Sequence, residues 1–170
     1  GWELNMGYHS PKLGDWQWNG SLNLSHYKNE VVKLNDFVST IGGDTRLIEG
    51  QPMGVYYGYV CDGIFQTEDE VSNHAIQQGK GVGRLIFRDI DGNGTVDEND
   101  RCVIGDPNPD LSMGLNLDVS YKNFTLSAFF SGEFGFDIFN TTRRQLEFMS
   151  YGGTSTNRGT AVVNAWSTTN

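Results

Sequence analysis

Positive charge is scarce in this sequence: 12 Lys and Arg residues stand against 21 Asp and Glu residues, and the formal net charge is −9. Nucleic-acid-binding proteins use lysine and arginine to neutralise phosphate groups, so this charge balance argues against DNA or RNA as a partner. Only two cysteines occur, Cys61 and Cys102, which are too few for a disulfide framework or a four-ligand zinc site. The sequence also lacks any run of 18 apolar residues, and we therefore expect no transmembrane helix.

Proline is scarce as well, with four residues, whereas glycine is abundant, with 22 in 170 residues. Together with 12% aromatic residues, this composition is typical of turn-rich β structure and not of a disordered chain. Residues 1–8 begin in the middle of an alternating pattern, and residues 164–170 show no helix cap or other stop signal. We expect the chain to be a piece of a longer protein.

Four segments alternate between apolar and polar residues, which is the pattern of a β-strand with two different faces. They are residues 1–8, 16–27, 111–121 and 124–132. The connection between the first two contains a proline and a glycine, and the connection between the last two is the pair Lys122-Asn123. The alternation therefore predicts two antiparallel hairpins, at residues 1–27 and 111–132.

The segment between the hairpins, residues 28–110, contains most of the acidic residues and glycines and shows no long alternation, so we expect a long loop. Inside it, Thr67 and Glu70 have the spacing of a capping box, which predicts a short helix that runs to about Gln78. Residues 133–170 are expected to form a further loop.

The hairpins share two features with the walls of outer-membrane β-barrels. Short connections alternate with long ones, and aromatic residues on the apolar side of the strands lie beside the short connections. These residues are Tyr8, Trp16, Trp18, Tyr121 and Phe124. A soluble β-sandwich is the alternative, but the polar side has hardly any lysine or arginine, which suits a lumen better. We predict an all-β fold whose antiparallel hairpins belong to the wall of an outer-membrane β-barrel, with a long extracellular loop that contains a short helix.

The strongest local motif is acidic and spans residues 89–100. Oxygen ligands fall at positions 1, 3, 5, 9 and 12, glycine is at 6 and a main-chain carbonyl at 7, which is the spacing of an EF-hand calcium loop. The candidate ligands are Asp89, Asp91, Asn93, Thr95, Asp97 and Asp100. Position 12 is aspartate where an EF-hand has glutamate, and the flanks resemble strands instead of helices. We therefore expect a structural Ca²⁺ clip and not a sensor.

Three features of the long loop leave alternatives open. The acidic motif is also typical of a turn held by its own side-chain to backbone hydrogen bonds. The run of Tyr56, Tyr57 and Tyr59 is either a platform on which a ligand such as a sugar stacks or a small core beneath the loop. Cys61 and Cys102 form a disulfide only if the fold brings them together, which their spacing does not predict.

The sequence shows no catalytic constellation. Its three histidines, His9, His26 and His74, lie on separate elements and have no partner at the spacing of a metal site or a nucleophile. No carboxylate is singled out by a motif either. We therefore expect that the protein is not an enzyme.

Several short motifs follow one another along the chain. They are Asn29-Glu30-Val31-Val32, residues 49–59, Asp62-Gly63-Ile64-Phe65-Gln66-Thr67, residues 89–101, Ile104-Gly105-Asp106-Pro107-Asn108-Pro109 and Tyr121-Lys122-Asn123-Phe124. In this order they resemble the C-terminal part of SusC/RagA-type TonB-dependent outer-membrane transporters of the Bacteroidetes. The resemblance extends from the first hairpin to about Asn140. The acidic loop departs from the family's usual Asp-Xaa-Asn-Gly-Asp-Gly, because Asp91 and Asn93 are exchanged.

The resemblance implies a large barrel in the bacterial outer membrane, surrounded by membrane lipid. It also implies import of an oligosaccharide or peptide, together with a SusD-like surface lipoprotein and the TonB complex, which acts through an N-terminal part outside this sequence. It does not identify the substrate. A secreted, calcium-stabilised, β-rich carbohydrate-binding module is the alternative from another functional class.

Overall fold

The computed structural model describes residues 1–34, 40–42, 45–148 and 157–167. The chain divides into two compact units. The first contains Gly1–Tyr56 and Gly105–Asp137, and the second contains Tyr57–Ile104 and Ile138–Asn170. No helix among the described residues is long and apolar enough to cross a membrane.

Most of the secondary structure that the structure describes is β-strand. In chain order the strands are β1 (Trp2–His9), β2 (Trp16–His26), β3 (Thr40–Gly42), β4 (Thr45–Arg46), β5 (Val55–Tyr59), β6 (Cys61–Ile64), β7 (Leu85–Phe87), β8 (Arg101–Gly105), β9 (Leu111–Tyr121) and β10 (Phe124–Phe134). The α-helices are α1 (Glu68–Asn73) and α2 (Thr141–Glu147), and 3-10 helices span Glu98–Asp100 and Thr160–Asn164. The predicted all-β class is confirmed.

The first unit is built on a four-stranded sheet with the order β1-β2-β9-β10. Strands β1 and β2 form one antiparallel hairpin, and β9 and β10 form the other. The two predicted hairpins are thus confirmed, and they join each other edge to edge because β2 pairs with β9 in antiparallel register. This pairing makes a single sheet from segments that are far apart in the sequence.

The register places like residues opposite each other, so the sheet has one apolar and one polar face. The apolar face carries Trp2, Leu4, Met6, Tyr8, Trp16, Trp18, Leu22, Leu24, Leu111, Met113, Leu115, Leu117, Val119, Tyr121, Phe124, Leu126, Ala128, Phe130 and Phe134. The polar face carries Glu3, Asn5, His9, Gln17, Asn19, Ser21, Asn23, Ser25, Ser112, Asn116, Asp118, Ser120, Thr125, Ser127, Phe129, Ser131 and Glu133. Because a shift by one residue would exchange these faces, the alternation fixes the register.

Both hairpins close at the same end of the sheet. Gly14, with a φ of 64°, makes the tight turn before Trp16, and Lys122 adopts a φ of 54° in the second turn. The two turns contact each other, because the main-chain N–H of Lys122 donates to the carbonyl oxygen of Asp15 at 3.1 Å. The aromatic rings of Trp16 and Tyr121 lie 4.4 Å apart beside these turns, and those of Tyr8 and Trp18 lie 4.7 Å apart.

The second unit contains shorter elements. Strands β6 and β7 form a two-stranded antiparallel sheet. Phe65, which follows β6, is fully buried and makes an edge-on contact with the ring of His74 at 5.3 Å. Cys61 is exposed and Cys102 is half-buried, and both are free thiols.

Helix α1 begins as predicted but ends earlier. The hydroxyl of Thr67 accepts the N–H of Glu70 at 3.2 Å, as expected for an N-cap. The carboxylate of Glu70 accepts the N–H of Gln66 at 2.6 Å, one residue before the position that a capping box requires. The expected extension to Gln78 is wrong, because α1 ends at Asn73. Residues beyond it use their main chain and side chains to bind neighbouring segments instead.

Candidate metal centre

The acidic motif forms a compact loop between β7 and β8, the two strands that were predicted to flank it. Gly92 and Gly94 have φ angles of 71° and 85°, a region that glycine enters without steric cost. These two residues turn the chain back on itself within a few positions. The carboxylates at the beginning and the end of the motif are therefore brought together.

Three of the predicted ligands converge. Carboxylate oxygens of Asp89, Asp91 and Asp100 lie within 4.8 Å of one another. Such a group of negative charges repels itself, and a divalent cation with oxygen ligands is the partner that removes this repulsion. The arrangement therefore has both the charge and the donor atoms that Ca²⁺ prefers.

Each of the first two carboxylates is oriented by the loop itself. The two oxygens of Asp89 accept the N–H groups of Gly92 and Gly94, both at 2.8 Å. One oxygen of Asp91 accepts the N–H of Asn93 at 3.0 Å. A carboxylate offers about four lone-pair positions, so each of these groups keeps acceptor capacity for a cation.

Asp100 is the anchor of the loop. Its side chain is fully buried, and its oxygens accept the N–H groups of Asp97 at 2.7 Å, Ile90 at 2.7 Å and Asp91 at 3.3 Å. These hydrogen bonds, above all that from Asp97, lower the pKa of the Asp100 carboxyl, although burial opposes them. Asp100 is therefore held as a carboxylate that ties the two ends of the motif together.

The other predicted ligands have defined local roles. The amide oxygen of Asn93 accepts the N–H of Thr95 at 2.7 Å. The carboxylate of Asp97 accepts the N–H of Asn99 at 2.8 Å and caps the 3-10 helix. These are the side-chain to backbone bonds of an Asx-rich turn. The loop therefore has features of both a Ca²⁺ site and a turn that is held by its own hydrogen bonds.

The loop is also attached to the segment after α1. The N–H of Ile76 donates to the carbonyl oxygen of Gly94, and the N–H of Val96 donates to the carbonyl oxygen of Ile76, each at 2.8 Å. The side chain of Gln77, which is only 8% exposed, bonds to both the carbonyl of Leu85 and the N–H of Phe87. Neither Ile76 nor Gln77 was predicted as a contact of the loop, because neither residue belongs to a motif.

The tyrosine run lies on β5 as half-buried residues. The ring of Tyr59 lies 5.3 Å from that of Phe87, and the guanidinium of Arg101 lies 5.0 Å above it. A Cβ built on Gly105 would lie 3.0 Å from the ring of Tyr56. These contacts favour the packing role over a free stacking platform.

The motifs that carry the family resemblance form a polar network at the end of the sheet opposite the short turns. The side-chain amide of Asn29 donates to Asn108 at 2.8 Å and accepts the N–H of Met53 at 2.7 Å. Asn108 in turn donates to the carboxylate of Asp106 and to the carbonyl of Met53. The loop-base network of Asn29, Met53, Asp106 and Asn108 thus joins three distant motifs.

The chain is similar in sequence to proteins that are named TonB-dependent receptors. The chain is 35% identical over its whole length to TonB-dependent receptor P3 of Formosa agariphila. It is 30% identical over 66% of its length to TonB-dependent receptor SusC of Bacteroides thetaiotaomicron. The RagAB peptide transporter structure matches 99% of the chain with a TM-score of 0.71 and 20% identity. No protein-family model matches. The chain spans 18%, 11% and 18% of these proteins, respectively.

Proposed function

The chain belongs to the TonB-dependent receptors of the SusC/RagA type, which are outer-membrane proteins, and from this premise we propose that it contributes barrel wall and extracellular loop to a transporter for oligosaccharides or peptides. The observation that carries the proposal is the two-faced sheet of the first unit. Its apolar face has exposed side chains on all four strands, which include Trp2 at 52%, Trp16 at 52%, Leu117 at 37% and Phe124 at 79%. Such a face is suited to membrane lipid, and the polar face to a water-filled lumen.

The complete transporter needs partners beyond this chain. We propose that it works with a SusD-like surface lipoprotein and receives energy from the TonB complex, which would contact another part of the protein. The related proteins are receptors and transporters and not enzymes, which supports a role in transport. The secreted carbohydrate-binding module is not favoured, because its only support was composition and the acidic loop.

Accessible-cysteine labelling tests the assignment of the two faces. In the full-length protein, Cys61 and Cys102 are first replaced by serine, and single cysteines are then placed at Trp16, Gln17, Trp18 or Asn19. We expect a membrane-impermeant maleimide to label positions 17 and 19 in outer-membrane fragments and to leave 16 and 18 unlabelled, because neighbouring side chains point to opposite faces. Detergent-denatured samples provide the control for intrinsic reactivity. Equal labelling at all four positions would contradict this assignment and would favour the secreted carbohydrate-binding module.

We also propose that the acidic loop binds one structural Ca²⁺. The proposed ligands are the side chains of Asp89, Asp91, Asn93 and Asp100, the Thr95 carbonyl, and Asp97 directly or through water. The convergence of three carboxylates and the two glycine turns support the site. Bound Ca²⁺ would stabilise the compact conformation of the loop between β7 and β8.

Thermal unfolding with and without calcium tests this site. A ligand that binds only the folded state stabilises it, so millimolar Ca²⁺ should raise the Tm of metal-free protein. The increase should be smaller for Asp91→Asn, which keeps an acceptor for the main-chain N–H of Asn93 but removes the charge and the acceptor for the Asn93 side-chain amide. The matched control is Glu98→Gln, because the side chain of Glu98 is 88% exposed and is not a proposed ligand. A Tm that does not change with calcium would contradict the Ca²⁺ site. The loop would then be a turn that is held only by its own hydrogen bonds.

A further inference from the structure

A groove of about 590 Å³ crosses the polar face at the end of the sheet far from the short turns. Its volume is typical of a small-molecule site. The register places Gly114 at its floor, between Asn23 on β2 and Ser131 on β10. The next row toward the loops consists of Ser25, Ser112 and Glu133.

Phe129 forms one wall of the groove. Among the polar-face positions of the four strands it is the only hydrophobic side chain, and it is 66% exposed. A Cβ built on Gly114 would lie 3.7 Å from the Phe129 ring and 3.9 Å from the amide nitrogen of Asn23. The absence of a side chain at Gly114 therefore leaves an open floor between a phenyl ring and an amide.

The polar groups of the groove favour a neutral ligand. Its lining includes amide and hydroxyl groups, which donate and accept hydrogen bonds, and one carboxylate, Glu133. No lysine or arginine is present among the residues that line it. An anionic ligand would therefore meet a carboxylate without a compensating cation, whereas sugar hydroxyls can donate to Glu133.

We propose that this groove is a binding subsite for a neutral pyranose unit of an oligosaccharide. The apolar side of the sugar ring packs against Phe129, and its hydroxyl groups bond to Asn23, Ser131 and Glu133. The proposal rests on the proposed function, because it requires the polar face to line the path of a transported substrate. It narrows that function from oligosaccharide or peptide to oligosaccharide.

The chain offers a matched pair of variants for the test. Phe129 and Phe130 are adjacent and both exposed, but they lie on opposite faces of β10. In the full-length protein, calorimetric binding is measured with maltohexaose, cellohexaose and xylohexaose, a sulfated oligosaccharide, and a neutral hexapeptide. We expect Phe129→Ala to weaken binding of a neutral oligosaccharide roughly tenfold. Phe130→Ala should leave affinity unchanged, and Phe129→Tyr should restore it.

The outcomes separate the subsite from the transporter function. If Phe129→Ala binds every neutral oligosaccharide as tightly as the wild type does, the subsite is refuted while the transporter function stands. Binding of the peptide or the sulfated probe alone, or of none of the neutral oligosaccharides, would also overturn the subsite. Failure of the transporter function is detected independently, because the labelling pattern at positions 16–19 would then lose its alternation.

Discussion

At the scale of the residue, Asp100 shows how one side chain serves two purposes. It is buried as a charged group because three main-chain N–H groups surround its oxygens. The same hydrogen bonds direct its carboxylate toward those of Asp89 and Asp91. Its importance was predicted from its position in the motif, whereas its burial was not, since sequence spacing does not reveal which acidic residue is covered.

The lowered pKa of Asp100 predicts how acid affects the loop. A carboxyl whose folded-state pKa lies below its ordinary value of 3.8 contributes stability that is present above that value and is lost as the pH falls through the folded-state pKa. In calcium-free buffer, the difference in unfolding free energy between wild type and Asp100→Asn should therefore be largest above pH 3.8 and should shrink as the pH is lowered below that value. Urea unfolding of the loop at several pH values measures this difference. A difference that stays constant with pH would contradict the assignment, and Glu98→Gln is the reference variant.

At the scale of the element, the sequence predicted long strands well and short elements poorly. Strand β9 has its predicted bounds, and β10 extends two residues beyond its predicted end. Long strands are predictable because each alternating residue adds evidence for the same two faces. Helix α1 has six residues, too few for its own hydrogen bonds to outweigh the tertiary bonds of Ile76 and Gln77.

Substitution of Gln77 tests whether its tertiary hydrogen bonds stabilise the segment after α1. Its side chain replaces a strand neighbour for β7 by bonding to the Leu85 carbonyl at 2.8 Å and the Phe87 N–H at 2.9 Å. Gln77→Ala should destabilise this region by about 1 kcal/mol, because it leaves two part-buried main-chain groups without these partners. Gln78→Ala, at an exposed neighbouring position, should have little effect. Hydrogen exchange at the Phe87 amide reports the change, and equal protection in the two variants would show that Gln77 is dispensable.

The loop-base network shows the limit of prediction at this scale. The motifs around Asn29 and Asn108 indicated a family, but the sequence did not show that the two side chains bond to each other. They are separated by most of the long loop, and no periodic pattern links them. Contacts between irregular segments depend on the complete fold, so they became visible only in the structure.

At the scale of the whole molecule, the sheet of the first unit is open. Strands β1 and β10 each have one neighbour within it, so each presents an edge with free main-chain donors and acceptors. Four long strands are fewer than the eight of the smallest membrane barrels, so these strands cannot close into a barrel by themselves. The apolar face and the two edges together require a partner surface, which in the full-length transporter would be supplied by lipid and by further strands.

We expect the isolated chain of 170 residues to associate with itself in water. Its exposed apolar face exceeds what a soluble monomer normally leaves uncovered, and its edges favour strand pairing between copies. Detergent above its critical micelle concentration should reduce the association by covering the face. Light scattering after gel filtration, with and without detergent, measures the mass. A stable monomer without detergent would show that the chain covers this face by itself.

The seam between β2 and β9 has a consequence for the order of assembly. Each hairpin joins neighbours in sequence and can form in microseconds, whereas the seam joins Ser21 to Asn116 and must wait for the intervening chain. Closing residues 27–110 as a flexible loop costs about 4 kcal/mol in chain entropy. The hydrogen bond between Asn29 and Asn108 joins the two ends of this loop, so the loop base and the seam share the same closure cost. The hairpins should therefore form first and the loop base next. Pairing between β2 and β9 should then extend from Ser25 and Ser112 toward the short turns.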